Sequence, residues 1–349
     1  PDSYKNADDP AKLVEWKVVE RGKIVFAEQC ARCHSSKDKP ASDIAGDPEK
    51  VMAFYREQVL KDDFLTNNTL TDDVPYPLSE LKTNGGRALA TNATGGHIWE
   101  QFSSPQYKAR PASGELQFFN PGDPKQPRVW QPPAGGRGYY RTASLVNIWA
   151  TAPFLHNNSV GTFPGDLALP PQKWPSVEGR ILAFNDAIDK LLYPEHRAGA
   201  ASVKRVSKGG TSLYLRLEGL VEQLPGFNKI ESLKGWVDRL VQKIDRFDLR
   251  GRLPESPHME VSFRFPVPEG TPINLLANIH VNNAIKAVPE FLVYALARKT
   301  GDEWLERKSV DALLSLSECP DLIEDHGHLY GADLPDQDKQ ALIEYLKKL

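Results

Sequence analysis

The chain has 349 residues, with 43 Lys+Arg against 46 Asp+Glu, a net charge of −3 and a pI near 6.3; 40% of it is hydrophobic and 26% charged. That balance is the composition of an ordinary folded protein rather than a disordered or fibrous one, and it leaves no basic footprint for nucleic acid and no polybasic patch for a membrane. No apolar run approaches the about 18 residues that a membrane span needs, so the chain reads as soluble with no membrane span, and it opens at Pro1 without an initiator Met or leader, as a mature or trimmed form would.

A length beyond the roughly 250–300 residues at which single cores stop growing predicts two domains or one domain with long insertions. From the N-terminus, Leu13, Trp16, Val19, Lys23 and Phe26 recur at helical spacing, and Gly22 and Phe26 lie one turn apart on the approach to Cys30. Cys30-Ala31-Arg32-Cys33-His34 follows. Two thiols about one helical turn apart, with an imidazole next to the second, form the attachment sequence of a c-type haem. The thiols add across the two vinyl groups, and the imidazole supplies an axial ligand to the iron. A zinc site would want a second Cys or His pair, and Cys319 stands alone. A thioredoxin-like pair would want a preceding strand where this chain carries a helical pattern. The motif therefore predicts one covalent haem c on Cys30, Cys33 and His34. Because haem c is attached outside the cytoplasmic membrane in bacteria, a periplasmic or secreted location is expected.

Residues 37–138 mix short helices, such as 48–61, with loop-rich runs at 120–127 and 132–138, and their pattern names no chemistry. Then come R-T-A-S-L-V-N at 141–147 and T-A-P-F-L-H-N-N-S at 151–159. Residues 210–217 and 261–267 alternate as the strands of one small sheet, with a turn at 268–272 in which Gly270 is free to take a positive φ. Helices are predicted over 272–283, 288–298 and 302–316. Cys319, before Pro320, reads as a buried reduced thiol. Pro335 opens a last helix with acidic residues in its first turn and Leu342, Tyr345, Leu346 and Leu349 on one face. Nucleotide-, phosphate- and zinc-hydrolase motifs are absent.

Three segments, 22–36, 140–160 and 319–331, resemble the bacterial di-haem cytochrome c peroxidase superfamily, most closely its rubber oxygenase A type. The middle one, similar to that family's R-T-x-S-L-x-N and T-A-P-Y-x-H blocks, is the most specific. The resemblance implies a mainly α fold: a single cytochrome c-type haem domain spanning 1–349, its core at 12–36, 140–160 and 319–349. Loop-rich insertions at 37–139 and 161–318, with a small β element, would widen that core. In cytochromes c, a Gly at the position of Gly22 lets the last helix pack closely on the first.

The resemblance also implies site residues. The second iron ligand comes from the loop before the last helix, which points to His328 in Gly-His-Leu-Tyr-Gly, with His326 two residues away as the competing choice. Likeness to small cytochromes c makes the Pro153 carbonyl the candidate acceptor for the His34 ring N–H. Arg141 becomes a candidate partner of a haem propionate. In the peroxidases, carbonyls matching those of Thr151 and Pro153 help hold a calcium ion between haem domains, a buried loop without an ion being the even alternative. His156 reads as a hydrogen-bonded residue beside the haem, Trp99 and Trp130 as packing, and Trp149 as either packing or an electron relay.

Superfamily members carry two haem motifs; this chain has one, with 29 residues ahead of it. Either it is the C-terminal portion of a longer protein or it is a one-haem relative. Two functions follow. One is electron transfer by a bis-His haem to a second haem domain or a redox partner protein. The other is an oxidoreductase, an oxygenase or a peroxidase, acting on an organic substrate or peroxide at an open haem. A purely structural haem is the third and weakest reading.

Overall fold

The computed structural model describes residues 10–90, 103–118, 120, 125–162, 176–216, 262–267, 269–277, 317 and 324–349. By compactness the chain divides into two units. The first comprises Pro1–Lys204, Ala277–His280 and Ser317–Leu349; the second comprises Arg205–Leu276 and Val281–Leu316, all inside the expected insertion at 161–318.

In the first unit the elements run α1 (Pro10–Gln29), α2 (Pro48–Val59), β1 (Pro75–Pro77), α3 (Leu78–Leu81), α4 (Gly86–Ala90) and α5 (Pro105–Lys108). They continue with β2 (Leu116–Phe118), β3 (Arg128–Trp130), β4 (Tyr139–Arg141), α6 (Ile148–Thr151) and α7 (Val177–Leu192). The expected helix at 48–61 is α2, started by Asp47, whose carboxylate accepts the Glu49 and Lys50 amides, with Pro48 in the first turn.

The two ends of the chain pack together. The last helix, Asp336–Leu346, lies against α1. Gly22 is what permits the approach, since a Cβ there would collide with the Ala341 carbonyl and sit 2.8 Å from Tyr345 Cβ. One turn on, Phe26 is fully buried, its ring 5.4 Å from that of Tyr345 and 6.2 Å from that of Phe64. Leu342, Tyr345, Leu346 and Leu349 are all buried in the same core, as their common face requires. Each such side chain contributes about 2–3 kcal/mol on burial. Arg21 donates to both carboxylate oxygens of Asp338 at 2.6 Å across the exposed rim of the pair.

The same core takes Phe184, Ile188 and Leu191 from α7 and Tyr55 and Val59 from α2. The core is therefore not confined to 12–36, 140–160 and 319–349; both flanking insertions supply apolar faces. Trp149 packs against this core, and Trp130 packs on a smaller cluster formed by Leu78, Ala88, Leu89 and Tyr140.

In the second unit, β5 (Thr211–Arg216) pairs antiparallel with β6 (Ser262–Val267), from Thr211↔Val267 to Arg216↔Ser262, which is the expected small sheet. Gly270 takes a φ of +80°, and its amide donates to the Val206 carbonyl ahead of α8 (Ile273–Ala277). Numbered in this order, the chain's last helix is α9.

The described residues are thus partly helical with small antiparallel sheets. There are two more strand pairs than the alternation predicts, β1 with β4 and β2 with β3. Their strands are three residues long, too short for a period of two to register, and β1 is Pro-Tyr-Pro. The helices expected over 288–298 and 302–316, with Trp99 and Cys319, lie outside the described residues. No described helix is long and apolar enough to cross a membrane.

Candidate functional site

The motif begins where α1 ends. Past Gln29 the chain tightens into turns: the Cys30 and Ala31 amides donate to the Phe26 carbonyl at 2.9 and 3.0 Å, and those of Cys33 and His34 to the Cys30 carbonyl at 3.1 and 2.8 Å. These bonds occupy carbonyls that a helix end would otherwise leave open. They also place both sulfurs and the imidazole on one tight loop. Both thiols are free and partly exposed.

Neither thiol is set up as a nucleophile. Burial, and then the neighbouring Cys33 sulfur, push the Cys30 thiol up to about 12, and burial raises Cys33 as well. Reactive redox cysteines require the opposite shift, and no positive neighbour lowers either thiol below its ordinary value.

The His34 ring is oriented from the middle block. Its Nδ1 lies 3.1 Å from the Ala143 carbonyl, which fixes Nδ1–H as the donor and leaves the Nε2 lone pair available. Burial lowers this imidazole to about 4 despite that bond, so it is neutral, as a metal ligand must be. The carbonyl meeting the ring is therefore that of Ala143, not Pro153. Pro153 is buried ten residues further on and lies against Gly161, where a Cβ would come within 2.7 Å of its carbonyl oxygen.

Residues 69–76 support this arrangement as an irregular neighbour of 140–145, with Leu70 and Asp73 at φ of +50° and +57°. Leu145 donates to the Leu70 carbonyl, Ser144 Oγ to the Thr69 carbonyl at 2.6 Å, and Thr142 to the Val74 carbonyl, leading into the β1–β4 pair. The Asp72 amide donates to the Cys33 carbonyl at 2.8 Å. The Asp72 carboxylate takes the Tyr76 hydroxyl at 2.8 Å and Lys39 Nζ at 3.2 Å. Buried Asn68 accepts the amides of Ser36 and Leu70 at 2.9 Å each, which closes the loop after His34. Sequence reasoning missed Asn68, Asp72 and Tyr76 because they sit in a stretch whose pattern is simply loop. Their signal, Asn and Asp at turn positions, is shared by any loop.

His328 faces this motif from the other end of the chain. Its ring stacks on that of His156 with centroids 5.1 Å apart and an interplanar angle of 23°, and its Nδ1 is buried without a hydrogen-bond partner. Burial and then the nearby His34 imidazole lower His328 to about 3, and burial, His328 and His34 lower His156. His156 and His328 thus stack, and His34 is near enough to perturb both. His326, by contrast, has an exposed side chain, and Arg197 and Asp325 perturb it. His156 Nε2 lies 2.7 Å from Thr83 Oγ1, the hydrogen-bonded position expected of it.

The propionate candidate Arg141 has an acidic partner within the chain. Its guanidinium pairs with Asp73, and the two side chains are 63% and 61% exposed. As the last residue of β4 its side chain alternates away from buried Tyr140. The two carbonyls of the calcium expectation belong to Thr151, the last residue of α6, and to Pro153 two residues on. Thr151 is exposed, its carbonyl accepts the Phe154 amide at 3.1 Å, and no group of three or more His, Cys, Asp or Glu able to hold a metal lies among the described residues. A calcium ion takes about six to eight oxygens.

The residues that do fit a haem are Cys30 and Cys33 as protonated, partly exposed thiols, His34 with Nε2 available, and His328 with an orphaned ring nitrogen. Comparison with protein-family models, with curated proteins and with solved structures yields no match.

Proposed function

We propose that the chain is a c-type cytochrome with a cytochrome c-like core. Cys30 and Cys33 would hold one covalent haem c, and His34 and His328 would supply the imidazoles for its iron. The chain transfers electrons as the electron-transfer haem domain of a di-haem peroxidase- or oxygenase-like protein. The observation that carries the reading is the Cys30–Cys33–His34 turn, two partly exposed thiols and an imidazole held through Nδ1 by the Ala143 carbonyl, together with the buried, unpartnered Nδ1 of His328.

Bound there, the haem supplies a one-electron iron couple. The chain's own residues supply the rest. The Cys30 and Cys33 thiols would hold the haem covalently through its two vinyl groups, and both are protonated, the form such an addition would consume. Ala143 holds the His34 ring by its Nδ1–H and so raises the basicity of Nε2. His156 fills the flank of His328 and excludes water from it. Were both imidazoles to bind the iron, neither dioxygen nor peroxide would find a place there, which favours electron transfer over an open-haem oxidoreductase. A second haem domain or a redox protein is the partner this requires, in the periplasm or outside the cell.

Intact mass together with a pyridine haemochrome spectrum tests the attachment: one haem per chain is expected, and none in a Cys30→Ala, Cys33→Ala variant. A ferrous spectrum unchanged by carbon monoxide is expected. Carbon monoxide binding, or a predominantly high-spin ferric form, would move the reading to the oxygenase or peroxidase class.

A further inference from the structure

His328 sits on a strap, residues 325–328, that has no regular secondary structure and is held by groups from elsewhere in the first unit. The buried Asp325 carboxylate accepts the Ala198 and Gly199 amides at 2.6 and 2.7 Å, and the Asp325 amide donates to Ser202 Oγ at 2.8 Å. The His326 carbonyl takes the Asn84 amide at 3.0 Å and Asn157 Nδ2 at 2.6 Å.

The next two carbonyls go to a single side chain. Arg197 donates through Nη1 to Gly327 O at 3.2 Å and through Nη2 to His328 O at 3.4 Å. The same guanidinium donates through Nε to Lys190 O at 2.6 Å and through Nη2 to Leu191 O at 2.9 Å. Lys190 and Leu191 lie in the last turn of α7, whose carbonyls have no partner within the helix and whose dipole favours a cation. One planar fork thus ties a helix end to the strap. Gly327 fits the strap flat against α7, because a Cβ there would lie 2.5 Å from Leu191 Cδ1 and 3.0 Å from Val160 Cγ2.

We propose that Arg197 is a positioning residue for His328: it clamps the strap to the C-terminal end of α7 and so keeps the 328 imidazole facing His34. The spectroscopic consequence rests on the bis-His reading above. A clamp differs from a mere nearby charge in needing the fork. Lys in place of Arg keeps the cation but offers three donors from one point, which cannot span carbonyls on both segments.

The test compares Arg197→Lys, Arg197→Gln and Gly327→Ala in the full chain as purified. Gly327→Ala lifts the same strap without altering any charge and guards against a folding defect peculiar to position 197. All three are expected to convert part of the ferric haem from low to high spin and to let the ferrous form bind carbon monoxide. Hydrogen exchange of the 325–329 amides is expected to rise about tenfold or more in each, as local opening free energy falls. If Arg197→Lys keeps both the wild-type spectrum and wild-type exchange, and Arg197→Gln only shifts the midpoint potential, Arg197 acts by charge and the clamp is overturned. If exchange rises in all three but wild type is itself high-spin or lacks haem, the clamp stands and the bis-His reading fails.

Discussion

His34 and His328 come from opposite ends of the chain, and they are held in opposite ways. His34 follows a regular 20-residue helix. Its backbone is bonded to Cys30 four residues earlier, and a packed helix pair stands behind it. His328 belongs to no helix or strand, and its strap is held by Asn84, Asn157, Arg197 and the 198–202 turn. The His34 side is a local structure supported by apolar packing. The His328 side is an assembly of remote polar contacts, each worth about 0.5–1.5 kcal/mol and each removable by itself. The first imidazole is thus held robustly and the second adjustably.

The largest effect should come from the Cys30–Cys33–His34 motif itself. Replacing Cys30 and Cys33 with Ser is expected to abolish covalent haem entirely, read as loss of haem staining after denaturing electrophoresis. Retention of attached haem would break the comparison at its root. Next is the helix pair. Gly22→Val should destabilise the fold by roughly 3 kcal/mol, because the Ala341 backbone cannot retreat without separating the two helices. A fall in the urea midpoint at unchanged slope checks this.

On the His328 side, Asn157→Ala removes a donor from both the His326 carbonyl and Thr83 Oγ1. A loss of about 1–2 kcal/mol is expected, with haem still attached but partly high-spin in its ferric spectrum. If that variant instead lost covalent haem, the two sides would be coupled rather than separable. The smallest effect belongs to Arg141→Gln. An ion pair this exposed contributes less than about 0.5 kcal/mol, so stability and spectrum should stay at wild-type values. A large shift in midpoint potential would restore Arg141 to the haem edge.

Legibility follows the same division. Gly22, Phe26 and the Leu342–Tyr345–Leu346 face could be read from helical spacing, because a 3.6-residue period leaves its mark along the chain. His328 was legible through its place before the last helix. The supports of His328 were not: Asn84 and Arg197 lie 244 and 131 residues from it in the chain, in stretches whose composition says only loop or helix end. Pro153 shows the converse. Its place in a block suggested the acceptor for His34, while the strand-like run of 140–145 against 69–76 delivers Ala143 instead.

By itself, the order of residues determined the chemistry the chain can attempt: two thiols, an imidazole and their spacing are covalent facts. It also determined the helix faces, since periodicity alone fixes which side chains share a side. Only the tertiary structure decided which carbonyl orients His34 and that His328 stacks on His156 while His326 stays exposed. It alone revealed that a single guanidinium joins α7 to the strap. Such choices depend on contacts between segments far apart in sequence, where a difference of a few hydrogen bonds selects one partner among several of the same type.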